Sequence, residues 1–259
     1  MTQRERPDQI AVYIDFDNVV ISRYDEVHGE RAFHNAVRTG TKDASAVAQR
    51  LEDARVNIGA VVEYAASFGT VAISRAYADW SAPVNAAYKN DLVSASIDLV
   101  QMFPLSGSKN GADIRLAIDV IDDLSRYDYV NHVLIVAGDS DYVSLAQRCK
   151  RLGRTVIGVG VAHSVGRYWK SSCDVFRMYD QLPGVTPAPT AQPKKAARRK
   201  AAAVAETASV QLLRRAMSLQ GERGTDGWVP ASTLKNQMLR LDATFDQKSE
   251  DHKSFTGFL

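Results

Sequence analysis

Residues 133–137, VLIVA, are five apolar side chains in a row with no polar alternation. A strand with one wet face alternates, so a strand like this one must be covered on both faces. The runs at 10–16 (IAVYIDF, broken only by Asp15) and 155–161 (TVIGVGV) have the same character and are expected as strands. Parallel strands need long return connections, usually helices. The intervening segments have helical spacing. One long helix is expected over 43–69, with apolar positions at Val47, Leu51, Ala54, Ile58, Val61, Val62 and Ala65, closed by Gly69. A strand is expected at 70–77, a helix at 82–96 with Pro83 in its first turn, and a strand over 97–104 stopped by Pro104. A helix at 112–127 leads to the strand at 132, and a helix at 142–153 capped by Gly153 leads to the strand at 155. A short helix near 164–171 precedes a sixth strand over 175–179. The pattern is α/β, with a parallel sheet covered by helices on both sides.

Composition bounds the rest. The chain is 259 residues long with a net charge of +2, and that charge is uneven. Residues 183–259 hold 12 Lys and Arg against 7 Asp and Glu, which leaves the preceding part mildly acidic. From 183 to 207 proline and alanine dominate, with Lys194, Lys195, Arg198, Arg199 and Lys200 clustered, as in an extended linker. Two or three helical segments follow over 208–259. Trp228 is expected in the core of that small module. Cys149 and Cys173 fit neither a metal spacing nor a disulfide framework and read as free thiols. The polar start MTQRERPDQ lacks a signal-type apolar region, and no stretch approaches a membrane span. A soluble, cytoplasmic protein with no membrane partner is the expectation.

The chemistry collects where strands end. Asp15, Asp17 and Asn18 close the first strand, and Asp139 and Asp141 follow the fourth. Asp113 opens the helix at 112, with Asp119 farther along it. In a doubly wound sheet the first and fourth strands are neighbours, so their carboxyl ends would bring Asp15 beside Asp139. Converging carboxylates repel and resist losing water, and a hard dication reverses the sign. Mg²⁺ or Mn²⁺ there would hold a phosphodiester and activate water. Asp113 and Asp141 read equally well as helix caps, and Asp119 as part of a solvated face. Asp119 shares the site only if Asp113 lies outside the regular helix, because six residues on a helix turn by about 120°. Arg75, Lys109 and Arg115 are candidate phosphate contacts. Ser140 is a candidate to orient water. Trp80 reads as a half-buried core residue.

YIDFDNVV, KNGADIRLAIDV and VAGDSDYVSLAQRCKRLGRTVIGVG, in that order and with RAYADW between them, resemble the NYN domain of the PIN-like nuclease superfamily, in its LabA-like (DUF88) branch. The likeness covers 8–182 and implies a three-layer α/β/α domain. It also implies a metal-dependent ribonuclease acting on RNA. Asp15 and Asn18 match the family's first motif, Asp113 and Asp119 its helix acids, and Asp139 and Asp141 its last motif. The implied catalytic set is Asp15, Asn18, Asp113, Asp139 and Asp141. The implied metal ligands are Asp15, Asp113, Asp119, Asp139 and Asp141, for Mg²⁺ or Mn²⁺. Asp17, Ser140, Arg75, Lys109 and Arg115 remain for substrate. The stretch 208–259 resembles an OST-HTH (LOTUS) winged-helix-like module, shortened at its end, which implies binding of RNA or a protein partner.

Other readings compete. VYIDFDNVV also resembles the nucleophile motif of haloacid-dehalogenase-like phosphatases, with Asp15 as nucleophile and Asp17 as acid/base, but AYADW lacks the Ser/Thr that family places at its second strand tip. GVGVAHSVG has glycines at 158, 160 and 166, which is not the dinucleotide fingerprint and follows the wrong strand. A regulatory RNA-binding scaffold without turnover is the third.

Overall fold

The computed structural model describes residues 7–38, 44–103, 111–138, 141–161, 166–187, 208–221, 229–241 and 255. Two compact units are present, Met1–Ala191 and Gln192–Leu259. In the first, β1 (Gln9–Asp15), β2 (Thr70–Ala78), β3 (Asp98–Gln101), β4 (His132–Ala137), β5 (Thr155–Gly160) and β6 (Val175–Met178) form one six-stranded sheet. Its order is β3-β2-β1-β4-β5-β6, and every pairing is parallel. The order reverses between β1 and β4, whose register sets Ile14 beside Val136. In open α/β sheets, ligand sites gather outside the carboxyl ends of the strands at such a switch point.

Burial explains the apolar runs. Residues 10–15 of β1 and 133–137 of β4 are all buried. Removing each of the larger aliphatic side chains from water is worth roughly 1.5–3 kcal/mol. The helices are α1 (Phe16–His28), α2 (Ala32–Arg38), α3 (Ala44–Asp53), α4 (Ile58–Ala66), α5 (Pro83–Ala86), α6 (Lys89–Ser94), α7 (Gly111–Arg126), α8 (Val143–Arg151) and α9 (Arg167–Ser172). Gly153 closes α8 in the left-handed region, at φ +74°.

Three expectations change. The single helix over 43–69 is two, α3 and α4, because the Asn57 side chain accepts the Ala60 N–H at 3.0 Å and starts a new helix. The helix at 82–96 is likewise two short ones, α5 and α6, with Tyr88 at the joint. Helices α1 and α2 occupy a stretch to which sequence periodicity gives no element. Buried Arg23 interrupts the apolar face of α1 with Val19, Val20 and Tyr24. Its guanidinium pairs with Glu26 at 2.8 Å and donates to the Thr186 carbonyl at 2.8 Å. Asn57 similarly reaches the Gly184 carbonyl at 3.0 Å. The chain is therefore still fastened to this unit a few residues beyond 182.

The second unit contains α10 (Ala208–Gly221) and α11 (Ala231–Leu241), joined by a small core of Leu212, Ala216, Leu234, Met238 and Phe255. The linker cluster at 194–200 and Trp228 lie outside the described residues. Among the described residues, no helix is long and apolar enough to cross a membrane.

Candidate metal centre

Asp15 is the last residue of β1, and α1 begins at the next position. The carboxylate is 2% exposed. The hydroxyl of Tyr142, itself buried just before α8, lies 2.8 Å from Asp15 Oδ2 and 2.8 Å from Asp113 Oδ1 in the first turn of α7. A phenol carries one proton. It can donate to one carboxylate; the second contact at that distance needs a proton on the other carboxyl. Burial first, and then the neighbouring Asp113, hold the Asp15 pKa well above the ordinary carboxylate range. This corner of the fold therefore holds excess negative charge that a proton or a cation must offset. Every donor in it is oxygen, which suits a hard dication. The oxygen groups present thus fit a hard divalent cation, with Asp15 and Asp113 the carboxyls placed to face it.

A groove of ≈ 480 Å³ between α7 and α8 leads from this corner. Asp113, Ile114, Asp141, Ser144 and Arg148 are among its lining residues. Asp141 is exposed there, and so is Arg148. Asp139 and Ser140, which follow β4 in the sequence, and Lys109, which precedes α7, lie outside the described residues. Among the described residues, no three His, Cys, Asp or Glu side chains gather as a metal cluster.

Backbone geometry keeps this edge tight. A Cβ at Gly138 would overlap Ser22 Oγ and Asn18 Oδ1. Glycine at the end of β4 is what lets α1 pass so close. Asn18 Oδ1 accepts from Ser22 Oγ at 3.0 Å, which orients the amide across that contact.

The other sequence-picked residues sit elsewhere. Asp113 is inside α7, so Asp119 faces another way. It accepts from Tyr77 Oη at 3.0 Å and from Arg115 Nε at 2.9 Å. Arg115 is thereby engaged along its own helix. Asp17 accepts the Asp79 N–H at 3.0 Å and the Asn85 side-chain amide at 2.5 Å, tying α1 to the turn after β2. Arg75 is opposite Tyr13, two residues before the pair Asp15 and Tyr77, and forms a two-pronged ion pair with buried Asp123. Its position inside the strand, rather than at the tip, takes it away from the acidic corner. Trp80 is more buried than expected, 4% exposed, with Nε1 donating to the Val100 carbonyl at 2.9 Å.

Sequence reasoning missed the tyrosines. Tyr142, Tyr77 and Tyr13 each donate to an aspartate of α7: Tyr142 at Asp113, Tyr77 at Asp119 and Tyr13 at Asp123, the last at 2.8 Å. For Tyr13 and Tyr77 the available signal was a tyrosine inside a buried strand, whose hydroxyl requires a partner; Tyr142, before α8, carries no such signal.

Residues 9–180 match the family model of the NYN domain. The chain belongs to the NYN family. NYN domains belong to the PIN-like nucleases, which accords with the carboxylates gathered at the switch point. Among solved structures, a protein of unknown function from Vibrio parahaemolyticus is similar at 18% identity and a TM-score of 0.50. That match covers 70% of this chain and 98% of the other and speaks for the fold alone. No curated protein matches significantly. Within the NYN domain the contacts count against both rival chemistries. A phosphatase would need Asp17 free as acid/base and Asp15 open for attack, yet Asp17 is bonded to β2's turn and Asp15 is buried. A dinucleotide site has the same strand order but needs glycine-lined amides after β1, where this chain has carboxylates that repel a pyrophosphate.

Proposed function

We propose that the chain is a metal-dependent ribonuclease that hydrolyses RNA phosphodiesters at the crevice between β1 and β4. The observation that carries this reading is the buried Asp15 carboxylate set against Asp113 through one shared tyrosine hydroxyl. Asp15 and Asp113 would hold Mg²⁺ or Mn²⁺, with Asp139 and Asp141 completing the acidic set. When bound there, the ion supplies charge neutralisation at the phosphate and a more acidic water. The chain's own groups do the rest. Tyr142 holds the two carboxyls in register, Gly138 and Asn18 fix the edge, and Arg148 lies along the groove where it can meet a phosphate.

The second unit supports a binding role. Its paired helices and shared core suit the small OST-HTH-like module that its sequence resembles, with RNA or a protein partner as ligand. The test of the main reading is RNA cleavage with and without EDTA, comparing the parent with Asp15→Asn, Asp113→Asn and Asp139→Asn. EDTA-sensitive cleavage lost in the folded variants supports it. Metal-independent cleavage, or full activity in Asp15→Asn, contradicts it, and RNA binding without any turnover marks a scaffold instead.

A further inference from the structure

Helix α9 follows β5 at the same sheet edge as the acidic corner, and its two faces differ sharply. Trp169 is fully buried, its ring 6.0 Å from that of Tyr142 and 6.3 Å from that of Phe176. Tyr142 is the side chain that joins Asp15 to Asp113, so α9 is fastened directly behind the carboxylate pair. The preceding residue points the other way. Tyr168 is 67% exposed, and the Arg167 guanidinium lies over its ring at 5.3 Å from the centroid. Arg167 and Lys170 are exposed as well. An outward-facing aromatic on a helix anchored by Trp169, with one guanidinium at its ring and a second exposed cation on the same short helix, is a surface for a base and its phosphates. The neighbouring groove adds Arg148 on α8.

We propose that Tyr168 is a base-stacking platform and Arg167 its phosphate contact, together holding an unpaired nucleotide of the RNA on the outer face of α9, whose inner face is packed behind the carboxylate pair. The proposal rests on the ribonuclease reading for its ligand, but it is tested separately. A base in a duplex is already stacked, so the platform favours single strands.

The experiment measures binding of a labelled, unstructured RNA to the full chain in EDTA, where metal-dependent cleavage cannot proceed. Tyr168→Ala is expected to weaken binding roughly 5- to 100-fold, the range for one lost base stack. Tyr168→Trp retains affinity, and an abasic backbone of equal length binds parent and Tyr168→Ala alike. Arg167→Gln should reduce the slope of log affinity against log salt by about 0.7 on either backbone. With metal present, Tyr168→Ala raises KM more than it lowers kcat. Equal binding of the RNA by parent and Tyr168→Ala, an equal loss on the abasic backbone, or no binding by the parent overturns the platform. If the binding loss occurs but the parent never cleaves, the platform stands and the nuclease reading fails. If cleavage is metal-dependent and Tyr168→Ala changes neither Kd nor KM, the platform alone fails.

Discussion

Replacing Tyr142 with Phe removes one oxygen and nothing else from the acidic corner. The ring is buried against Trp169 and Phe fills the same space, so no cavity forms. What is lost is the hydroxyl within 2.8 Å of both Asp15 and Asp113. A hydrogen bond to a charged group contributes about 1.5–3 kcal/mol, and the lower cost of burying Phe returns part of that. The expected destabilisation without metal at neutral pH is about 1–2.5 kcal/mol. At about 2–4 °C per kcal/mol for a domain this size, the melting temperature falls by roughly 2–10 °C. The penalty should shrink toward pH 4, because the raised Asp15 pKa leaves that carboxyl neutral there and a hydrogen bond to a neutral group is worth less. Calorimetric melting in EDTA at both pH values measures it. Tyr24→Phe is the control: the Tyr24 hydroxyl is buried without a partner among the described residues, so that variant should be neutral or stabilising. An unchanged melting temperature in Tyr142→Phe, or an equal drop at both pH values, would refute the idea that this hydroxyl mediates between charged carboxylates.

Further outcomes follow from the same contacts. Asp15→Asn should raise the metal-free melting temperature at pH 7, because the raised Asp15 pKa means the folded state prefers the uncharged group. That preference is fully present below the unfolded value near 3.8 and is lost as pH rises through the folded value, so the parent in EDTA should lose stability from about pH 4 upward while Asp15→Asn loses less, as pH-dependent melting will show. Gly138→Ala should cost about 1–3 kcal/mol in denaturant unfolding, because its methyl overlaps Asn18 and Ser22. Arg75→Ala should cost about 2–3 kcal/mol by the same method, since it strands the buried Asp123, and should leave RNA affinity unchanged. Thiol-reactive probes should label the native chain slowly at neutral pH, because burial pushes the Cys149 and Cys173 thiols up to about 12.

The sheet was legible because its strands are apolar on both faces, a demand of parallel pairing that survives in any single sequence. The capping of α8 at Gly153 was legible for a similarly local reason. Breaks within helices were not: Asn57 is an ordinary polar residue until the chain around it turns. Helix α1 was hidden by Arg23, whose burial depends on Glu26 and on a carbonyl far along the chain. At the candidate site, Asp15 stood out because an acid ends a buried strand, and Asp113 because it opens an amphipathic helix. Tyr142 did not, since its role comes from two carboxylates distant in sequence. Arg75 and Asp119 look like site residues in one dimension, and only the register of β2 and the turn of α7 direct them to Asp123 and Tyr77.

The central claim is that Asp15 and Asp113 share a divalent cation. Anomalous diffraction from crystals of the full chain grown with Mn²⁺ tests it most directly. The account predicts a strong manganese peak bonded to oxygens of both Asp15 and Asp113 and absent from Asp15→Asn crystals. A peak elsewhere, none at all at saturating Mn²⁺, or an undiminished peak in Asp15→Asn would contradict it.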